Sequence, residues 1–381
     1  MDVPRSPATQ ILHRLETDSR IVLLLGPRQT GKTTLAKAVA GRTGRRFLSL
    51  NGDDPETVEL LSLPDDRRLS GLVAGYEGLF LDEAQRIPGI GLVLKRLHDQ
   101  HSEVRLLVTG SSSLELAGLT REALTGRTWT YTLFPIATSE LAQLQSPHEL
   151  NLGLGDRLVL GCYPALFSLP NRQDRVAHLR ELVNAYLYKD ILELSGLRSA
   201  RKLRDLLRWL AYQVGSEVSY QELGRTCGLS ADTVISYVDL LEKSFVVYRL
   251  GAYSRNLRKE VSRKDKVYFV DNGVRNALID DFKEPELRSD VGALWENFLV
   301  SERRKRNAYT GFYGSSWFWR VHTGAELDYL EDADGRLEAF EFKWGDKPAM
   351  APKGFVNAYP DSGFTLVNRS NWQEFCALER L

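Results

Sequence analysis

Three cysteines in 381 residues, Cys162, Cys227 and Cys376, are too few and too far apart for a disulfide framework, and no C-x-x-C spacing offers a zinc knuckle. No apolar run approaches the roughly 18 residues that a bilayer span requires. The start Met1-Asp2-Val3-Pro4-Arg5 lacks the apolar stretch of an export signal. An excess of one charge is also missing. Fifty basic residues meet fifty acidic ones, so attraction to a polyanion has to come from local patches and not from the field of the whole chain. Internal repeats and low-complexity tracts are absent too. What is left is the composition of an ordinary globular protein, 43% hydrophobic and 26% charged, long enough for about two to four domains. The chain reads as soluble, unexported and cytoplasmic, without a membrane partner.

Short apolar runs alternate with helical patterns in the first third of the chain: Ile21–Leu25, Phe47–Leu50, Leu79–Asp82, Val104–Val108 and Trp129–Leu133. That rhythm predicts a parallel α/β sheet. Pro135 and the polar stretch around Gln145-Ser146-Pro147 break it, which sets a first domain at 1–145 and a helical lid or linker at 146–200. Helices are expected at Leu203–Val214, Tyr220–Thr226 and Ala231–Lys243, with Gly228-Leu229-Ser230 as turn and cap, followed by strands Phe245–Leu250 and Lys266–Val270. This is a winged helix-turn-helix pattern over 201–272. A mixed α/β domain over 273–381 follows, with a helical run Asp290–Arg306 and strands near Trp317–Val321, Glu326–Leu330 and Leu337–Trp344.

The first apolar run leads into Gly26-Pro27-Arg28-Gln29-Thr30-Gly31-Lys32-Thr33-Thr34, a G-x-x-x-x-G-K-T phosphate loop that opens a helix-compatible stretch. Its glycines let successive N–H groups turn inward around a phosphate, Lys32 reaches the β and γ oxygens, and the Thr33 hydroxyl is placed to ligate Mg²⁺. The run Gly78-Leu79-Phe80-Leu81-Asp82-Glu83 is an apolar strand ending in two carboxylates. Asp82 is expected to hold Mg²⁺ and Glu83 to polarise the attacking water, because phosphoryl transfer depends on positioning and charge neutralisation. A further strand ends in Thr109-Gly110-Ser111-Ser112-Ser113, where Thr109 is the candidate sensor of the γ-phosphate. Arg127, and less so Arg121, is the candidate arginine finger on a neighbouring subunit's nucleotide.

Together these residues resemble the AAA-type ATPases fused to a C-terminal domain of unknown function, number 4143. The resemblance continues through Leu81-Asp82-Glu83-Ala84-Gln85, Gly126-Arg127, Phe134-Pro135-Ile136, Lys189-Asp190-Ile191, Lys266-Val267-Tyr268-Phe269-Val270-Asp271 and Gly324-Ala325-Glu326-Leu327-Asp328. One departure is Gly161-Cys162-Tyr163-Pro164, where the pattern usually has glycine in second place. The resemblance implies an oligomeric ATPase, with ATP and Mg²⁺ as cofactors, and a nuclease-like C-terminal fold.

On the strand Leu337–Trp344, Glu341 and Lys343 share one face, and on the preceding strand Glu326 and Asp328 do likewise. This D-x(12)-E-x-K spacing resembles a restriction-endonuclease-like core. The resemblance implies Mg²⁺ held by Asp328 and Glu341, a water oriented by Lys343, and Glu296 completing the acidic cluster. Arg255, Arg258, Lys259, Arg263, Lys264 and Lys266 fall where a wing is expected to grip DNA phosphates, and Arg303-Arg304-Lys305-Arg306 forms a second possible strip. The expected recognition helix has no arginine or lysine before Lys243, so base reading is not expected. The leading expectation is a homo-oligomeric ATPase that handles DNA, with branched or repair-intermediate DNA such as Holliday junctions as its substrate. The alternative is a nucleotide-dependent signalling switch acting on protein partners.

Overall fold

The five apolar runs of the N-terminal region pair as one parallel sheet in the computed structural model, which describes residues 3–62, 65–111, 124–184, 200–254, 265–321 and 324–376. Strands β1 (Ile21–Leu25), β2 (Phe47–Asn51), β3 (Gly78–Asp82), β4 (Arg105–Gly110) and β5 (Thr128–Thr132) lie in the order β2-β3-β4-β1-β5. Every pairing is parallel. β1 and β3 are buried at every position, as strands covered on both faces must be. Alternate residues feed two cores. Ile21, Leu23 and Leu25 pack with Leu79, Leu81 and helix α5 (Ile90–Gln100), while Val22 and Leu24 pack with Phe80, α1 (Pro7–Thr17) and α2 (Lys32–Arg42). Helices α3 (Pro55–Ser62) and α4 (Asp66–Val73) complete this part.

The chain divides into two compact units. One runs to Ile136 and includes Lys243–Phe245; the other comprises Ala137–Glu242 and everything from Val246 onward. The described parts of the three later sequence segments therefore belong mostly to one unit. It contains α6 (Leu154–Leu160), α7 (Arg172–Leu182), α8 (Ala200–Tyr212), α9 (Tyr220–Cys227), most of α10 (Ala231–Lys243) and an antiparallel pair, β6 (Val247–Leu250) with β7 (Lys266–Phe269). Helices α11 (Asn272–Ile279) and α12 (Val291–Thr310) lead to a mixed sheet in the order β11-β10-β9-β8, formed by β8 (Ser315–Arg320), β9 (Glu326–Ala333), β10 (Arg336–Phe342) and β11 (Gly363–Val367). Among the described residues no helix is long and apolar enough to cross a membrane.

Local chemistry sets these boundaries. The Ser219 hydroxyl accepts from Glu222 N at the start of α9, and Gly228 ends that helix at φ 63°. Asp271 caps α11 and also accepts a bond from Cys162 N at 2.7 Å. The turn before it falls on Gly161 at φ 76°, where the Asp271 carboxylate occupies the space of a Cβ. Glycine is thus required at Gly161, and the cysteine that follows is accommodated.

Candidate functional site

Because β3, β4 and β1 are neighbours, with Leu81 beside Val108 and Leu24 beside Thr109, their carboxyl ends open on one edge of the sheet. This is where open α/β sheets hold ligands. The phosphate loop follows β1. A Cβ on Gly26 (φ 144°) would strike the Leu133 carbonyl, and Gly31 caps α2 at φ 91°. Lys32 is buried, and its Nζ donates to Gly26 O at 2.9 Å and Pro27 O at 2.7 Å. The Thr33 hydroxyl donates to Asp82 Oδ2 at 2.8 Å, and the Thr109 hydroxyl donates to the other Asp82 oxygen. Glu83 sits at φ 48°, a left-handed conformation, with its N–H donating to Thr109 Oγ1 at 3.3 Å.

Two residues to which the sequence assigned no role complete this edge. Arg5 donates to Thr30 O at 2.7 Å and to Phe134 O at 2.6 Å, so it ties the phosphate loop to the segment after β5. Gln85 Nε2 donates both to the Glu83 carboxylate and to Ser111 Oγ, the latter at 3.0 Å.

Burial lowers the Lys32 ammonium to about 8, against the pull of Glu83 and Asp82. A polyphosphate would raise it again on binding, so the favourable contribution is complete below pH 8 and is lost as pH rises toward the bound-state value. Nucleotide affinity is therefore expected to weaken above pH 8, approaching about tenfold per pH unit. Fluorescent-nucleotide titrations from pH 7 to 9.5 would show it; a flat profile contradicts it.

Arg127 is not part of this edge. Its carbonyl accepts from Ile21 N at 2.8 Å, at the start of β1 and β5. That places it at the end of the sheet remote from the phosphate loop. Its guanidinium pairs with Asp99, at 2.8 Å from Nε to Oδ1. Arg121 lies outside the described residues.

The second unit gathers another charged group. Lys266, on β7, is 2% exposed. Its Nζ lies 3.0 Å from Glu296 Oε1 on α12, 2.5 Å from Glu326 Oε1 and 4.0 Å from Asp328 Oδ1 on β9. Tyr268 OH donates to Glu296 at 2.6 Å, and Phe342 N donates to Asp328 at 2.7 Å. Continuing the β9–β10 register brings Glu341 opposite Asp328, and Lys343 pairs with Glu341 at 2.6 Å. Arg320 stands 3.6 Å from Glu326. Glu296, Glu326, Asp328, Glu341 and Lys343 thus lie in one cluster with Lys266.

The pKa directions follow from this crowding. Burial, then Glu296 and Glu341, raise the Asp328 carboxyl well above its usual range. Lys266 moves upward too, since its carboxylate neighbours outweigh its burial. Both directions have the same physical cause, acidic side chains crowded around one buried ammonium where water is scarce. Among the described residues, no group of three or more histidine, cysteine or acidic side chains is disposed to hold a metal ion.

Two expectations about basic residues need correction. Lys266 does not present its charge to a phosphate backbone, because it is enclosed by the acidic cluster. The Arg303–Arg306 run is not a solvated strip either. Arg303 pairs with Glu331 at 2.5 Å, Lys305 with Glu302 at 2.6 Å, and the Arg304 guanidinium lies 4.6 Å from the centre of the Tyr248 ring. Arg255, Arg258, Lys259, Arg263 and Lys264 lie outside the described residues. A basic face does exist on α8. Leu203, Leu206, Leu207 and Leu210 turn inward, leaving Arg201, Arg204, Arg208, Trp209 and Tyr212 exposed.

Residues 18–142 match the family described as AAA domain, 152–284 a domain of unknown function (DUF8612) and 291–375 a domain of unknown function (DUF4143). An uncharacterised protein of Mycobacterium tuberculosis is 32% identical over 356 residues, covering 92% of this chain and 76% of its own length. Another, from Methanocaldococcus jannaschii, is 20% identical over 332 residues, covering 82% and 72%. Similar solved structures include a Walker-type ATPase of Pyrococcus abyssi, 15% identical with a TM-score of 0.48, covering 71% of this chain and 94% of that one. The RuvB Holliday junction branch migration motor of Thermotoga maritima is 18% identical with a TM-score of 0.33, covering 65% and 90%.

Proposed function

Because this chain belongs to the AAA-type P-loop ATPases that carry the DUF4143 domain, we propose that it couples ATP hydrolysis to the binding and remodelling of DNA, branched repair intermediates included, as a homo-oligomer. Loop residues 26–34 cradle the phosphates in this reading, and Lys32 exchanges the Gly26 and Pro27 carbonyls for β and γ oxygens. The Thr33 hydroxyl and Asp82 carboxylate are hard oxygen donors, 2.8 Å apart, which suit Mg²⁺. When bound with ATP, that ion neutralises charge developing on the transferred phosphoryl group. Thr109 fixes the Asp82 carboxylate, and Glu83, oriented through Gln85, accepts the proton of the attacking water. Arg127 lies at the wrong end of its own sheet for its own nucleotide, so any finger role is toward a neighbour's.

Beyond the N-terminal ATPase domain, the reading takes 146–200 as a helical lid, 201–272 as a winged helix-turn-helix and 273–381 as a nuclease-like fold. The observation that supports DNA as partner is the exposed face of α8. Its side chains Arg201, Arg204 and Arg208 stand beside Trp209, 42% exposed, and Tyr212, 57% exposed. Cations neutralise phosphates while ring faces stack on unpaired bases, giving affinity without sequence reading.

Anisotropy titrations of the full chain with labelled single strands and four-way junctions test this. Replacing Arg201, Arg208 and Trp209 together by alanine is expected to weaken binding by about tenfold or more and to reduce the salt slope by about 1 to 2. Unchanged binding by that variant removes α8 from the account. No binding even at low salt favours the protein-directed switch.

A further inference from the structure

We propose that the ammonium of Lys266 is the resident cation of the C-terminal acidic cluster, so that this domain holds its carboxylates together without a divalent metal and does not cleave phosphodiesters. The nuclease-like spacing calls for a metal between Asp328 and Glu341, with Glu296 and Glu326 at hand. A metal of that kind needs carboxylate oxygens with free lone pairs and an open position for water. Here the place between the acids is taken by a cation of the protein itself, with Lys266 on Glu296 and Glu326 and 4.0 Å from Asp328. Glu296 takes bonds from Lys266 and Tyr268, Glu326 from Lys266, Asp328 from Phe342 N, and Glu341 from Lys343.

Lys266 cannot easily withdraw to make room. It opens β7, opposite Leu250 of β6, and forms a bridge with Glu217. Its Nζ lies 5.4 Å from the centre of the buried Phe318 ring. A second cation inserted beside it would meet a positive charge at short range in a poorly solvated site. The lysine instead joins β7, α12 and β9 at one point, where it acts as a clasp. A lysine is a point charge with three donors and no coordination position to lend, so it cannot generate the metal-bound nucleophile that such cleavage requires. The inference concerns the cluster alone and stands or falls separately from the DNA-binding reading.

Mn²⁺ is the probe, used with the full, nucleotide-free chain. Counting bound Mn²⁺ by electron paramagnetic resonance is expected to give the same number for the wild type and for Asp328→Ala. Mn²⁺ is expected to leave the wild-type unfolding midpoint in place and to raise that of Lys266→Met by several degrees, since removal of the ammonium frees three carboxylates for the ion. An Mn²⁺ bound by the wild type and lost in Asp328→Ala overturns the proposal, as does Mn²⁺-dependent nicking of DNA that disappears in Asp328→Ala. A folded Lys266→Met chain indifferent to Mn²⁺ also counts against it. Should Lys266→Met not fold, the comparison of the wild type with Asp328→Ala decides alone.

Discussion

Glu83→Gln is expected to lower steady-state ATP turnover by about 10²–10⁴-fold, the usual contribution of a positioned general base, while nucleotide affinity stays within a few-fold of the wild type. The reason is geometric. The Glu83 backbone is fixed by the Thr109 hydroxyl, and its carboxylate is held by Gln85, which is itself anchored on Ser111. Glutamine fills the same volume and keeps a carbonyl for Gln85 but cannot take a proton from water. The affinity rests on other groups, Lys32, Thr33 and the loop N–H groups, which the substitution leaves alone. Phosphate release and fluorescent-nucleotide binding, measured on the same preparation, separate the two effects. Turnover within threefold of the wild type would show that the water is activated elsewhere.

The largest stability effect is expected from Lys305→Met. Lys305 and Glu302 are buried side chains on α12, 2.6 Å apart, and Glu302 also accepts from Thr138 N at 2.6 Å. Burial acts to lower the Lys305 pKa, but Glu302 overcomes it and holds the ammonium charged. Removing the lysine leaves a carboxylate in a site from which water is excluded, a loss of about 3–5 kcal/mol. Its effect reaches beyond the helix, because Glu302 anchors the backbone at Thr138, where the second unit begins. Denaturant unfolding checks the size, and Lys305→Met with Glu302→Gln should recover part of the loss. A change under about 1 kcal/mol for the single variant would mean that the pair is solvated as surface pairs are.

The phosphate loop and the Asp82-Glu83 strand end were legible because their chemistry is written in consecutive residues, and a parallel sheet then brings strand ends together without further instruction. The same rule bears on Arg127. It immediately precedes β5, and residues preceding strands of a parallel sheet lie opposite the ligand edge. Arg5 gave no local signal, since its partners lie at Thr30 and Phe134, and Gln85 stood in the quoted motif without a role because its anchor is Ser111. Lys266 did give one: a lysine that opens the apolar run Val267-Tyr268-Phe269-Val270 needs a buried counter-charge. Reading it with the wing residues obscured that. The Arg303–Arg306 run misled for a related reason, because α12 is buried on several sides and its cations meet Glu302, Glu331 and an aromatic ring. The α8 face shows the reverse. Its leucines are buried, and the arginines between them are what the fold leaves in solvent.

DNA as the partner of this ATPase is tested most directly by steady-state ATP hydrolysis by the full chain alone and with duplex, single-stranded or four-way-junction DNA, using Glu83→Gln as the blank. Hydrolysis is expected to be stimulated by at least one of these forms, and the stimulation to be lost when Arg201, Arg208 and Trp209 are replaced by alanine. A rate that is the same in all four conditions would contradict it.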